Sequence, residues 1–110
     1  MFFVTTEKLD GAKIVRYHGV VAAEVVMGSN FVRDAFARVR DFVGGRSGAY
    51  EKVFADARAE VMAEIEKQAN ELGANGIVGI RFERYSVGRN DSILMVSASG
   101  TAVTAAKEGA

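Results

Sequence analysis

Between Lys13 and Met27 the apolar residues recur at alternate positions, with Val15, Tyr17, Val21, Ala23 and Val25 on one face. A period of two is the signature of a β-strand half-covered by a core. Fully extended, such a run spans roughly 46 Å. That is more than one small domain needs, so a bend is expected at Gly19, and part of the ribbon is expected to reach a neighbouring subunit. Beyond Gly28 the period changes. Ser29 and Asn30 are helix-capping residues, and Val32, Ala35, Phe36, Val39 and Val43 then recur at three and four, which predicts a short amphipathic helix. Asp34 and Arg38 make a favourable i,i+4 pair on its wet side. Gly44-Gly45-Arg46-Ser47-Gly48 interrupts the pattern. Tyr50, Val53, Phe54, Ala57, Val61, Ile65, Ala69 and Leu72 restart it as a longer helix, closed by Gly73, which takes a left-handed conformation without steric cost. Val78, Ile80 and Phe82 alternate with Arg81, Glu83 and Tyr85 in the next strand, and Gly88 to Ser92 has turn chemistry. In the last strand Leu94, Val96, Ala98, Gly100 and Ala102 face one way and Ile93, Met95, Ser97, Ser99 and Thr101 the other.

The order strand, long strand, short helix, long helix, strand, strand predicts an α+β fold of two layers, an antiparallel sheet with helices on one face. With 110 residues and no linker, repeat or proline, residues 1–110 are expected to form a single domain.

Composition narrows the partners. Fourteen Lys and Arg balance fourteen Asp and Glu, so no global positive field draws in nucleic acid or anionic lipid, and neither is expected as a partner. The absence of cysteine removes both a disulfide framework and any thiolate. Met1 to Thr6 has no basic region followed by a long apolar stretch, and no apolar run approaches the length of a membrane span. A cytoplasmic protein is the expectation.

Candidate chemistry is sparse. Four methionines are scattered in a way that core packing explains, and His18 is the only histidine. His18, Arg16 and Glu24 share parity on the long strand, so a ring of subunits could gather several His18 or Glu24 side chains round an axis and hold a metal that one chain cannot. Otherwise that face is simply wet or lies at an interface. No serine belongs to a nucleophile elbow or triad, and the carboxylates Glu60, Glu64, Glu66 and Glu71 spread round the long helix as solvation, so an enzyme is not expected and no cofactor is called for. The remaining candidate is the glycine-rich stretch before the long helix. Gly44, Gly45, Arg46, Ser47, Gly48 and Tyr50 would present helix N-terminal N–H groups and a guanidinium to a small anion or nucleotide. It lacks the lysine and spacing of a P-loop, and the same residues serve equally as a helix-to-helix turn in which Arg46 bridges a subunit contact.

Those residues, with Glu51, resemble the signature of the YbjQ family of small bacterial proteins. The likeness extends over Tyr17 to Val21, Gly28 to Asp34, Leu72 to Gly79 and Met95 to Val103, nearly the whole chain. It implies a β-α-β-β subunit akin to dodecin subunits, assembling as an oligomeric ring, a homopentamer with strand exchange between neighbours. The family carries only an uncharacterised or heavy-metal-binding label and implies no catalytic residues. Without cysteine, a metal would need oxygen ligands or a shared His18.

Overall fold

A computed structural model describes residues 1–27, 46–87 and 93–108, with 46–50 as backbone only. The short helix expected over 30–43, the positions Gly44 and Gly45 and the turn at Gly88 to Ser92 therefore lie outside the described residues. Four strands and one helix follow in the order β1 (Phe2–Phe3), β2 (Ala12–Met27), α1 (Arg46–Glu71), β3 (Gly76–Val87) and β4 (Ile93–Lys107). The strands form one sheet in the order β1-β3-β4-β2. The α+β class and the helical layer on one face are as the periodicity predicts.

The sheet is mixed rather than antiparallel, because β1 runs parallel to β3, pairing Phe2 with Gly76 and Phe3 with Ile77. Val4 extends the contact by donating its N–H to Ile77 O at 3.0 Å and accepting from Ile80 N at 3.2 Å. The Phe2 ring lies directly over Gly76, occupying the space a Cβ there would need. A glycine at the start of β3 thus lets the amino-terminal strand close down on it.

Helix α1 begins at Arg46, four residues before the expected Tyr50, so Arg46, Ser47 and Gly48 belong to its first turn and not to a loop. First-turn residues have no intrahelical N–H bond to lose, which is why Ser and Gly are tolerated there. Its carboxyl end behaves as expected. Gly73 has φ 84°, Ala74 N donates to Ala69 O and Gly73 N to Asn70 O, each at 3.0 Å, the paired bonds of a Schellman cap. Val53, Ala57, Val61, Ile65 and Ala69 line its buried stripe.

In β4 the predicted faces hold, with Leu94, Val96, Ala98, Gly100 and Ala102 buried on the helix side. In β2 and β3 they hold only in part. The long β2 does bend at Gly19, which has φ 129°, but the pairing with β4 slips twice, at Val15 and at His18. Each bulge inserts one residue and reverses the parity beyond it. Val21, Ala23 and Val25 consequently face the core, while Val15 and Tyr17, expected on the same face, are exposed. A third slip at Gly79, φ 63°, divides β3. Val78 and Ile80 therefore lie on opposite faces, both buried, and Phe82 is exposed. Gly100 opposes this bulge and carries no side chain to obstruct it.

Candidate functional site

The expected anion site cannot be assembled from the described residues. Gly44 and Gly45 lie outside them, and Arg46, Ser47, Gly48 and Tyr50 enter only as the opening backbone of α1.

The metal pair is separated by the sheet. His18 sits in the second bulge of β2, half-buried, and its Nε2 shares a 2.6 Å hydrogen bond with Thr104 Oγ1. Thr104 continues the helix-side parity of Ala102, whereas Glu24, between the core-facing Ala23 and Val25, points to the opposite, open face. The shared parity expected of His18, Arg16 and Glu24 is thus undone by the slip between Tyr17 and Gly19. Among the described residues no group of three or more His, Asp or Glu side chains could hold a metal ion. With no cysteine in the chain and His18 engaged by a hydroxyl, the donors among the described residues of one copy do not fit a heavy metal.

What the register does assemble is a polar patch on the open face. Ala22, Ser99 and Arg81 form one row across β2, β4 and β3, and Glu24, Ser97 and Glu83 form the next. They line a shallow depression of about 460 Å3. Arg81 pairs with Glu83 at 3.9 Å, and the Tyr85 hydroxyl donates to the Glu83 carboxylate. That hydrogen bond, reinforced by the negative charge of Glu83, raises the Tyr85 pKa above its ordinary value. Because the phenol is favoured in the folded state, the stabilisation is fully present below the ordinary tyrosine pKa and is lost as pH rises through the raised one. With Tyr17 and Tyr50 replaced by Phe, tyrosinate absorbance should titrate above pH ~10 and fall back towards it in Glu83→Gln. An unmoved midpoint in the Glu83 variant would contradict the assignment. The alternation of Arg81, Glu83 and Tyr85 is visible in the sequence, but their alignment with Glu24 depends on β4 lying between them.

A second feature lies along the outer edge of β2, beyond which no strand lies among the described residues. There α1 and β2 bound a groove of about 640 Å3, with Ala23, Val25, Val61 and Ala63 in its lining and Glu60 and Glu64 on its rim. At Ala22 the edge is already engaged. Gln68 Nε2 donates to Ala22 O at 2.9 Å and Ala22 N donates to Gln68 Oε1 at 3.1 Å. Asn75 does the same for β4 where β3 stops, donating to Ala105 O and accepting from Ala105 N, both at 2.9 Å. In each case a side-chain amide takes the place of a strand's peptide group. Neither residue stands out in the sequence, since an exposed amide looks the same whether or not it meets a backbone edge.

This fold places the chain among small α+β proteins with a mixed sheet and one helical layer among the described residues. The chain belongs to the YbjQ family, whose model, described as "Putative heavy-metal-binding", matches residues 1–106. A UPF0145 protein of Actinobacillus pleuropneumoniae serotype 5b (strain L20) is 48% identical over 103 residues, covering 94% of this chain and 97% of that one. A UPF0145 protein of serotype 7 (strain AP76) of the same species matches to the same extent. Among solved structures, a protein of unknown function of the DUF74 family from Pediococcus pentosaceus ATCC 25745 superposes with a TM-score of 0.55 over 94% of this chain and 96% of that one. Its 22% identity carries the likeness of fold and nothing further. Among the described residues no helix is long and apolar enough to cross a membrane.

Proposed function

We propose that the chain works as a homo-oligomer, a pentameric ring that binds or scaffolds at its subunit junctions rather than catalysing a reaction. The observation that carries this reading is β2, a 16-residue strand at the sheet edge with large apolar side chains in water. Val20 is 78% exposed and Tyr17 68%. Long, apolar free edges are a liability that isolated proteins suppress, and a partner strand removes it. The shape agrees. The radius of gyration is 17.2 Å, against about 13 Å for a compact domain of this length. A subunit drawn out in this way buries too little of its own surface and gains by sharing its ribbon with others. The polar patch around Glu24, Arg81 and Glu83 would then lie near the junctions, where copies can combine donors that one chain keeps apart.

Native mass spectrometry of the untagged protein tests this directly. The expected spectrum is five subunits, and any retained mass identifies a ligand class. A monomer at micromolar concentration would overturn the reading.

A further inference from the structure

Among the described residues the sheet has two unpaired edges that differ, and their difference specifies how copies meet. On β2 the residue whose backbone points outward is Ala22, as its two bonds to Gln68 establish, so by alternation Val20, Glu24 and Val26 point outward too. The side chains of this set face the open side of the sheet, opposite the core-facing Val21, Ala23 and Val25. On β3, Ile80 N donates outward to Val4. The uninterrupted pairing from Arg81 to Val87 then makes Phe82, Arg84 and Ser86 the outward residues. Their side chains face the helix side, since they stand opposite the buried Ala98, Val96 and Leu94.

This phase relation selects one pairing. In an antiparallel ladder two outward residues stand directly opposite with side chains on the same face, so joining these edges that way would put successive helices on opposite sides of the sheet. In a parallel ladder an outward residue stands beside one that points away, and the open faces of the two copies then coincide. Parallel is also the direction that rotation about a ring axis imposes, because β2 and β3 are both antiparallel to β4 within one chain.

Charge separates the edges in the same sense. The β2 side carries Glu24, Glu60 and Glu64 with only Lys67 beside them in the groove. The β3 side carries Arg58 and Arg84 around Phe54, with Arg84 seated 4.9 Å from the ring centre, and Arg81 on the open face, three arginines set against Glu51 and Glu83. An acidic β2 edge and a β3 edge with a small excess of arginine attract when copies meet head to tail, whereas two β2 edges repel. The first half of the β3 edge is taken by β1 and the segment to Thr6, whose carbonyl accepts from Gly79 N at 2.9 Å. A neighbour's β2 must therefore leave the sheet below Val20, and both bulges of β2 fall there.

We propose that residues 81–87 of β3 dock in parallel on the outer edge of β2, residues 20–26, of a second copy, with the partner's peptide groups replacing Gln68 at Ala22. This rests on the homo-oligomeric reading and names its interface: a heterologous contact between unlike edges that repeats round the ring.

Two charge-reversed variants test it, Glu60→Arg/Glu64→Arg on one edge and Arg81→Glu/Arg84→Glu on the other. All four positions are exposed, and unchanged thermal unfolding of each purified variant checks that the fold survives. Each alone is expected to fall from the mass of the ring to that of one subunit, and an equal mixture to regain assemblies containing both. If only the first variant dissociates, β2 pairs with β2 about a two-fold axis and the proposal fails. It fails equally if both variants remain assembled, or if both dissociate and the mixture does not recover, although the wild type is then still an oligomer. A monomeric wild type removes the homo-oligomeric reading itself.

Discussion

Replacing Ile65 by Ala should lower the unfolding free energy by about 3–4 kcal/mol, in the middle of the range for large-to-small core substitutions. Ile65 is fully buried at the middle of the helical stripe, between Val61 and Ala69, which are also inaccessible. The cost of such a change depends on how far the surroundings collapse into the space left behind. Here they collapse little. The sheet surface beneath α1 includes the small residues Ala98, Gly100 and Ala102 of β4 and Ala23 of β2, whose positions are fixed by the backbone ladder. For a domain of this size the loss corresponds to roughly 12–20 °C in Tm, measured at fixed protein concentration because assembly adds to stability. Leu72→Ala, one turn beyond the buried stripe and 45% exposed, should cost well under half as much. A loss at Ile65 below about 1 kcal/mol would mean that the helix does not seat on the sheet as described.

The parts of this architecture legible in the sequence are those whose periodicity runs uninterrupted. The stripe from Val53 to Ala69 and the faces of β4 follow directly from spacing, and Gly73 announces its cap by being the glycine that ends the stripe. Where one extra residue enters a strand, spacing misleads, because parity is reset and every later side chain changes face. Gly19 and Gly79 mark two of the three slips, and Gly19 is readable as a bend, but a bend leaves parity intact whereas a bulge reverses it. For that reason spacing alone assigns Val15 and Tyr17 to the core, outside which they lie, and groups His18 with Glu24 across a sheet that separates them. Long-range pairings leave still less trace. The parallel docking of β1 on β3 is carried by the fit of Phe2 on Gly76, and the closure of Ala22 by Gln68 joins residues 46 apart. The polar patch belongs to the same class, since Glu24 and Glu83 meet only through the register of β4 between them. Of the anion site, the sequence conveyed the glycines but not that α1 already begins at Arg46.

The bulge at Gly79 and the absence of a side chain at Gly100 form one unit, from which the second large effect follows. A Cβ at Gly100 would lie 2.6 Å from Ile77 Cγ2, 3.2 Å from Ile80 Cγ1 and 3.2 Å from Val78 O. The first distance is well inside van der Waals contact, and Ile77 is fully buried, so its side chain has no solvent to turn into and must press on other core groups if it moves. The carbonyl of Val78 belongs to the slipped segment, where Gly79 at φ 63° has already committed the backbone to a conformation that few other residues adopt. Gly100→Ala should therefore cost about 1–3 kcal/mol, and Gly100→Val, with two further methyl groups, should exceed it. A double-mutant cycle separates overpacking from a general aversion of the strand to change. Ile77→Ala removes Cγ2, the nearest obstacle, so the combined Gly100→Ala/Ile77→Ala chain should be more stable than the sum of the two single losses predicts, by about 1 kcal/mol or more. Strict additivity would mean that Gly100 tolerates a side chain by moving its own strand, and that the close approach of β3 and β4 at the bulge is not what requires glycine there.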